Sequence, residues 1–303
     1  MVGLFYPSSP LFLLYSPELV KALTNFIFHY SESGKRTFLF PAHDVGTYPV
    51  ANGQTFVGNM PVEEAGNMLI LTDAICKAEG AADYVLRHWE VLSQWADYLV
   101  KNGLDPADQF CTDDFAGRFP RNVNLSAKAV LAVAAYADLV EMTGKADQAQ
   151  KYATKARAMA AWWKKTAAVS DHYALTFGWG NTWSQKYNLV WNRVLGGEVF
   201  DCDIAEDEIA FYLTRINEYG LPLDSRRNCA KSDWTMWPAA MAPDMEDFPA
   251  LIEPVYRLFN ETVDRVSMTD WYNTDSRTHI HFKAHSVVGG YFMKMFDAKY
   301  NGR

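Results

Sequence analysis

The chain has 303 residues, of which 49% are hydrophobic and 21% charged, a balance typical of a folded protein with a large core. Its net charge is −8 and it has no run of lysine or arginine, which argues against a nucleic-acid or membrane-surface partner. No apolar run approaches the roughly 20 residues that span a bilayer. The N-terminus lacks the basic start of a signal peptide. Four scattered cysteines without C-x-x-C spacing indicate neither a zinc site nor a disulfide scaffold.

Helical periodicity recurs along the chain, and strand signals are few. Ser16 and Pro17 form a typical helix start, and Gly103 and Gly144 each follow a periodic stretch as a stop. Amphipathic helices are predicted over residues 17–32, 82–102, 124–143, 145–166, 203–218, 247–265 and 286–299.

A second set of helices is shorter and more apolar, and begins near residues 62, 122, 184, 231 and 286. Each follows a stretch rich in Asp, Asn, Gly, Trp and Tyr, and long loops of this kind are usually functional. The recurrence of amphipathic helix, decorated loop and apolar helix predicts a single all-α domain over residues 1–303. Its expected form is a double ring of helical hairpins, an (α/α)6-type toroid whose loops converge at one end.

An open solenoid of helix pairs is the alternative, although solenoid connections are normally short. The predicted helices number ten, five of each kind, whereas six hairpins need twelve. Either the chain lacks the first hairpin or two helices escape the periodicity, and the abrupt start in FYPSSP favours a missing hairpin.

The stretch MPVEEAGNML places two glutamates at the start of an apolar helix. Acids in a first turn interact favourably with the helix dipole, by roughly 0.3–1 kcal/mol each, and this structural interpretation suits Glu63. Glu64 shares an apolar stripe with Met68, where a carboxylate is costly unless it is used or paired. Glu64 is therefore a candidate catalytic residue, and Glu63 and Asn67 are candidate substrate contacts.

Further aspartates stand just before the other apolar helices. Each alone is weak evidence, because turns and helix caps also favour aspartate. Together they could provide the two carboxylates that hydrolysis needs, one to protonate the leaving group and one to activate water. Such a set would also suit a glycosidase or a calcium site. The candidate catalytic residues are Asp44, Asp114, which follows Asp113, and Asp233, and Asp270 is a candidate substrate contact.

Lys186 and Lys231 stand beside these acids, where either could bind a substrate carboxylate or form a structural salt bridge. Histidines at 279, 281 and 285 include an H-x-H pair, but no third-ligand pattern accompanies it. Phosphate-binding, dinucleotide-binding and serine-nucleophile signatures are absent. We therefore predict hydrolysis or elimination without a metal or organic cofactor.

Aromatic residues make up 15% of the chain, and several of the ten tryptophans stand in polar loops. A flat apolar face with one N–H group suits sugars and small polar ligands. Trp183, Trp234 and Trp271 are therefore candidate substrate contacts, and Asn124 joins them from the loop-to-helix stretch RNVNLS.

Several motifs together resemble the C-terminal region of the glutaminase A family, in the family's order and over nearly the whole chain. They are AHDVGTYPVANGQ, MPVEEAGNMLILTDAICKAEG, DDFAGRFPRNVNLSAKAVLAVAAYA, TWSQKYNLVWNRVLG, KSDWTMW and DWYNT followed by HSVVGGYFMKM. The resemblance implies a fold similar to the six-hairpin glycosidases and hydrolysis of L-glutamine to glutamate and ammonia. It also implies secretion or a periplasmic location, and a β-rich N-terminal domain in longer relatives.

Three functional hypotheses follow. The first is an amidohydrolase in which Glu64 or Asp114 activates water, Asp233 protonates the departing amine and Lys186 binds the α-carboxylate. The second is a glycoside hydrolase or lyase in which two acids take those roles and Trp183 and Trp234 stack on sugar rings. The third is a non-catalytic helical scaffold, which requires the acidic loops to disperse over the surface.

Overall fold

The structure is a computed structural model that describes residues 1–112, 114–197 and 199–301, with the backbone alone of Asp114. Two short antiparallel strands, β1 (Cys229–Lys231) and β2 (Trp271–Asn273), accompany the helices. Segments of 3-10 helix cover Asp114–Ala116, Tyr187–Leu189 and Ser286–Phe292. The α-helices are α1 (Val2–Tyr15), α2 (Pro17–Glu32), α3 (Pro61–Glu79), α4 (Asp83–Arg87), α5 (Trp89–Asn102), α6 (Val123–Met142), α7 (Ala146–Ala167), α8 (Val190–Val194), α9 (Cys202–Leu213), α10 (Ser232–Met241), α11 (Asp247–Glu261) and α12 (Met293–Asn301).

Six helical segments of the described chain form a closed inner ring. Helix α1 packs on α3, α3 on α6, α6 on Tyr187–Leu189, that segment and α8 on α10, and α10 on Ser286–Phe292. The ring closes because Ser286–Phe292, which runs into α12, packs back against α1. Helices α2, α5, α7, α9 and α11 cover it from outside. The all-α toroid is confirmed, and the open solenoid is wrong because its first and last helices would not meet.

Helix α1 is the inner helix that the sequence analysis missed. Pro7 and Pro10 lie inside it, and proline removes a backbone donor from the helix interior. The Ser9 hydroxyl donates to the Tyr6 carbonyl at 2.8 Å, the carbonyl that would otherwise receive the N–H of residue 10. The expected count of five inner helices is therefore wrong, because the described residues supply six.

Two other predicted helix boundaries differ from those in the structure. The helix expected over 82–102 is broken at His88, whose ring stacks on Phe28 with centroids 3.9 Å apart and bonds to Glu32 at 2.7 Å. The inner segment expected near residue 184 starts at Tyr187 and is short, because its α-helical part ends at Val194.

Helix α6 corrects the statement that no apolar run is long enough to cross a membrane. Its 20 residues are long and apolar enough to do so by length and composition. Its apolar window is 89% buried within the toroid, where α3, α5 and α7 pack around it. This environment is typical of the core helix of a folded domain.

The two strands connect the loops that precede α10 and Ser286–Phe292. Lys231 of β1 pairs in register with Trp271 of β2. The backbone N–H of Ser232, the first residue of α10, donates to the Asp270 carbonyl at 2.7 Å. The sheet therefore holds Lys231 and Asp270 beside the first turn of α10.

Candidate functional site

The first turns of four inner segments meet at one end of the ring. Thr112 bonds to Glu63 of α3 at 3.0 Å and to the Tyr187 hydroxyl at 2.7 Å. The Tyr187 ring stacks on Trp234 of α10, with centroids 4.0 Å apart. The amide side chain of Asn188 donates to the Asn124 carbonyl in the first turn of α6. We call this the acid end, because two groups of buried carboxylates lie there.

The first group centres on Glu63. The ammonium of Lys128, from α6, lies 2.6 Å from Glu63 Oε1, and both side chains are almost fully buried. Gly66 makes room for this lysine, since a Cβ at residue 66 would come within 2.6 Å of Lys128 Cγ. A buried pair of this kind is lost only at a large cost, because either partner alone would be an uncompensated buried charge.

Glu64 has a different environment from its neighbour. Asn67 Nδ2 donates to Glu64 Oε2 at 2.9 Å, and Oε1 has no hydrogen-bond partner among the residues that the structure describes. Burial, and then the charge of Glu63, raise the pKa of Glu64 well above its ordinary value. Burial therefore favours the protonated form of Glu64, which is the form required of a proton donor.

The second group consists of Asp233, Asp270 and Lys231. The ammonium of Lys231 lies 3.1 Å from Asp233 Oδ1 and forms a short contact with Asp270 Oδ2. Within the described part of the chain Asp270 Oδ1 has no hydrogen-bond partner, and His285 Nδ1 lies 3.4 Å from Oδ2. Burial raises the pKa of Asp233 to about 6; Lys231 opposes this shift and Asp270 adds to it. Asp233 is therefore mostly ionised at pH 7 but close enough to its pKa to accept a proton.

The loop after α5 joins the two groups. Thr112 contacts Glu63, as described above, and the Phe115 ring lies 5.1 Å from Trp271 and 5.0 Å from the Lys231 ammonium. The backbone of Asp114 therefore lies between Thr112, which contacts the first group, and Phe115, which contacts the second. Asp113 and the side chain of Asp114 fall outside the described residues, so the catalytic role predicted for Asp114 stays a prediction.

Asp44 is held by its own loop. Its Oδ1 accepts from the N–H groups of Gly46 at 2.8 Å and Thr55 at 2.9 Å, and its Oδ2 accepts from Phe56 N–H at 3.1 Å. Burial opposes ionisation, but the His43 contact and these backbone donors hold the pKa of Asp44 well below its usual range. Such contacts favour a role in shaping the loop, and the predicted catalytic role stays a prediction.

Lys186 lies in a separate buried cluster. Its ammonium donates to the carbonyls of Tyr173 and Ser184, each at 2.9 Å, and lies 3.7 Å from Glu208 Oε2. Tyr212, which bonds to Glu208, completes the cluster. The side chain of Lys186 is fully buried, so these contacts give no support to its predicted role as a substrate carboxylate ligand.

The three tryptophans predicted to contact a substrate lie in different environments. Trp234 is fully buried and packs 4.9 Å from Trp237. Trp183 is half-buried and packs on Phe211 of α9, with centroids 5.8 Å apart, away from both acid groups. Trp271 is half-buried and stands beside Asp270 at the acid end. Trp271 is thus the tryptophan of the three that adjoins the carboxylates with part of its surface exposed.

Lys128 is the important residue at the acid end that the sequence analysis missed. It is the charged residue in the otherwise apolar run NLSAKAVLAVAAYA, and a lysine among inward-facing alanines and valines is itself a signal of a buried partner. The partner could not be named from spacing, because Glu63 is 65 positions away.

A cavity of about 600 Å³ opens at the opposite end of the ring, which we call the cavity end. It lies beside the last turns of α8, α10 and α12 and is lined by Arg193, Asp201, Cys202, Met241 and Asn301, among others. Its Arg193 is already paired with Asp297 at 2.8 Å. The cavity therefore lies apart from the two groups of buried carboxylates, which are at the acid end.

Within the described ranges, no three His, Cys, Asp or Glu side chains are placed to hold a metal ion. The three late histidines go to different partners. His279 bonds to Asp264 at 2.9 Å, His281 lies by Trp271, and His285 approaches Asp270.

Similarity to solved structures extends to enzymes that act on sugars, at the level of fold. A GH78 family rhamnosidase of Bacillus sp. GL1 matches 96% of this chain and 31% of its own, with a TM-score of 0.66 and 13% identity. A sugar epimerase from a ruminal bacterium matches 97% and 86%, with a TM-score of 0.54 and 11% identity. A family 15 glucoamylase from Hypocrea jecorina matches 83% and 54%, with a TM-score of 0.50 and 12% identity.

Sequence similarity is more specific. Glutaminase A of Aspergillus oryzae is 33% identical over 302 residues, which cover 96% of this chain and 44% of the relative. A probable glutaminase of Arthroderma benhamiae is 24% identical, with the same two coverages. The chain thus spans less than half the length of these curated relatives. The model of the glutaminase A six helical-hairpin domain matches residues 1–295, and the chain belongs to this family.

Proposed function

We propose that the chain is a hydrolase that converts the side-chain amide of L-glutamine to glutamate and ammonia. Two features support this proposal: the relatives that carry the name glutaminase, and the meeting of two carboxylate groups at the acid end. The observation that carries it is the contrast between their acids. Burial raises the pKa of Glu64 well above its ordinary value and favours its protonated form, whereas Asp233 has a pKa of about 6 and is mostly ionised at pH 7.

This contrast reverses the roles first assigned to these residues. Asp233 is the better general base: it takes a proton from water as the oxygen attacks the amide carbon. Glu64 is the better general acid: it gives its proton to the amide nitrogen as the carbon–nitrogen bond breaks and ammonia leaves. The proton on Asp233 then returns to solvent, and Glu64 is reprotonated, so the cycle closes without a cofactor.

The site also contains groups suited to the two charged ends of an amino acid. Lys231 lies among the acid-end groups, so its ammonium is the candidate ligand of an α-carboxylate; it is buried and ion-paired, as Lys186 is, so the substrate would have to take over one of its carboxylate contacts. Asp270 Oδ1, which is buried without a hydrogen-bond partner among the described residues, suits an ammonium group. These two contacts would position the side-chain amide of glutamine against the carboxylates.

The second candidate is a glycoside hydrolase or lyase, favoured by the sugar-active enzymes among the structural neighbours. Fold alone does not fix function. The positions of the two tryptophans predicted to stack on sugar rings argue against this candidate. Trp234 is buried against Tyr187, and Trp183 packs on Phe211. Trp271 is the better stacking surface if a sugar is bound.

Ammonia release from L-glutamine tests the proposal, with the purified chain assayed beside its Glu64→Gln variant. We expect release by the parent and a loss of about 100-fold or more in the variant. The parallel assay measures reducing sugar released from aryl rhamnosides and from starch. A folded chain that releases sugar but no ammonia would establish the second candidate instead.

A further inference from the structure

Lys128 has the most constrained position of the lysines near the acid end. It rises from the first half of α6, is fully buried, and passes through the space left by Gly66. Its ammonium lies 2.6 Å from Glu63 Oε1, 2.8 Å from Asn67 Oδ1 and 4.2 Å from the centre of the Tyr6 ring. These contacts fix the lysine on one side of the two glutamates.

The contact with Lys128 determines the orientation of Asn67. An ammonium is only a donor, so the Asn67 atom that faces it must be the carbonyl oxygen. The amide Nδ2 then faces the glutamates, 2.9 Å from Glu64 Oε2 and 3.5 Å from Glu63 Oε1. Glu64 Oε2 therefore accepts a hydrogen bond, and the remaining oxygen, Oε1, is the one that can carry a proton.

We propose that Lys128 is a positioning residue for the acid pair. It keeps Glu63 ionised and, through Asn67, places the proton of the pair on Glu64 Oε1. Two adjacent buried carboxylates cannot both be ionised cheaply, so the position of the Lys128 ammonium beside Glu63 decides which of them keeps a proton. The inference about the proton is independent of the substrate, and its consequence for catalysis rests on the proposed function.

Other charged groups around the pair do not replace this contact. Burial lowers the pKa of His43, so its ring is neutral at pH 7, and Asp44 is ionised and committed to its loop. The α-amino group of Met1 is near Glu64, and burial lowers its pKa. Among the described residues, the other neighbours of the pair include the hydroxyl groups of Tyr6 from α1, Thr112 from the loop after α5, and Tyr187 from the 3-10 segment before α8.

Infrared difference spectroscopy tests the location of the proton without any substrate. The spectrum of the parent at pH 7 minus that of Glu64→Gln should contain the C=O absorption of a protonated carboxyl group. If the difference instead contains the bands of an ionised carboxylate, the proton is not on Glu64 and the proposal is overturned. This measurement stands even if the chain has no glutaminase activity.

The positioning role is tested by Lys128→Met, which keeps the apolar stem and removes the charge. The charge of Lys128 lowers the pKa of Glu64, so its removal should move the alkaline limb of the pH profile of kcat/KM, which reports loss of the Glu64 proton, upward by about one pH unit. Gly66→Ala should give a smaller shift in the same direction, because its methyl group displaces the lysine without removing it. Gly66→Ala also tests the proposal if Lys128→Met does not fold.

Lys77→Met is the matched control. Lys77 of α3 bonds to Asp138 of α6, so it ties the same two helices together near their other ends. A merely structural role for Lys128 predicts that both lysine variants lose stability and keep the parental pH profile, which would overturn the proposal. The proposal predicts that the profile moves in Lys128→Met and stays in place in Lys77→Met.

Discussion

Helix α3 carries a buried carboxylate near each of its ends, and the two illustrate how the ends of the toroid differ. Glu64 stands in the first turn, bonded to Asn67 and next to the paired Glu63. Asp73 stands two turns further on, where its carboxylate lies 3.1 Å from Lys77. Burial raises the pKa of both acids, that of Asp73 to about 7. A raised pKa alone therefore does not identify a catalytic acid.

The two acids differ in what surrounds them. Glu64 lies at the acid end, where Thr112 and Tyr187 connect its group to the first turn of α10. Asp73 lies toward the cavity end, where its lysine also bonds to Asp138 and to the Leu195 carbonyl and so ties α3 to its neighbours. Catalysis is therefore expected to depend on the first acid, and stability on the second.

The largest expected effect is that of Glu64→Gln on catalysis. Loss of the general acid should lower kcat by about 10²–10⁴-fold. The free energy of unfolding should rise at neutral pH, because glutamine matches a neutral carboxyl group in shape and, unlike Glu64 with its raised pKa, does not ionise on unfolding. Ammonia release and chemical denaturation measure the two quantities. If the variant loses both stability and activity, Glu64 would have the structural role that we assign to Asp73.

Asp233→Asn removes the proposed base and should lower kcat by about 100-fold. The alkaline limb of the pH profile of kcat/KM should remain. The acid limb, which reports the Asp233 pKa of about 6, should disappear. Asp201→Asn, which changes an exposed acid that lines the large cavity, serves as the control and should leave kcat/KM unchanged. An equal loss of activity in both variants would contradict the assignment of function to the acid end.

Asp73→Asn should stabilise the protein above neutral pH. The folded-state pKa of Asp73 is raised to about 7, so unfolding releases a proton between about pH 4 and 7 and the parent loses stability as the pH rises through that range. The variant should gain roughly 2–4 kcal/mol over the parent at pH 8 and almost nothing at pH 4. Urea denaturation at the two pH values measures this difference, which would be absent if Asp73 were ionised and well paired.

Asp44→Asn should have a smaller effect, on stability alone. The pKa of Asp44 is lowered in the folded state, so its contribution is present above about pH 4 and is lost as the pH falls through the folded-state pKa. We expect a loss of about 1–3 kcal/mol at pH 7, since backbone donors lose a charged acceptor. Thermal unfolding and ammonia release would separate this role from catalysis. An unchanged melting temperature with a large fall in kcat would restore Asp44 as a catalytic residue.

Much of the fold could be predicted because its repeating unit is long and amphipathic. Apolar helices that each follow a polar loop predicted a closed ring over the alternative of an open solenoid, and the motif MPVEEAGNML placed Glu63 and Glu64 at a helix start correctly. Helix α1 was missed because two prolines normally interrupt a helix, and the compensating bond from Ser9 is visible only in three dimensions.

The roles of individual side chains were harder to predict, because they depend on distant partners. Asp44 resembles the other loop aspartates in sequence, yet donors 11 and 12 residues away occupy its oxygens. Lys186 and Lys231 both stand beside polar aromatic loops, yet they belong to different clusters. The spacing of residues along the chain predicts which helix, and which face of it, carries a charged side chain. The partner of that side chain depends on the fold.

The most direct test of the central claim is a crystal structure of the Glu64→Gln variant with L-glutamine bound. The account predicts electron density for the amino acid at the acid end, with its side-chain amide between the first turns of α3 and α10. Glutamine bound in the large cavity beside Arg193 and Cys202 instead would contradict the claim that the buried carboxylates form the active site.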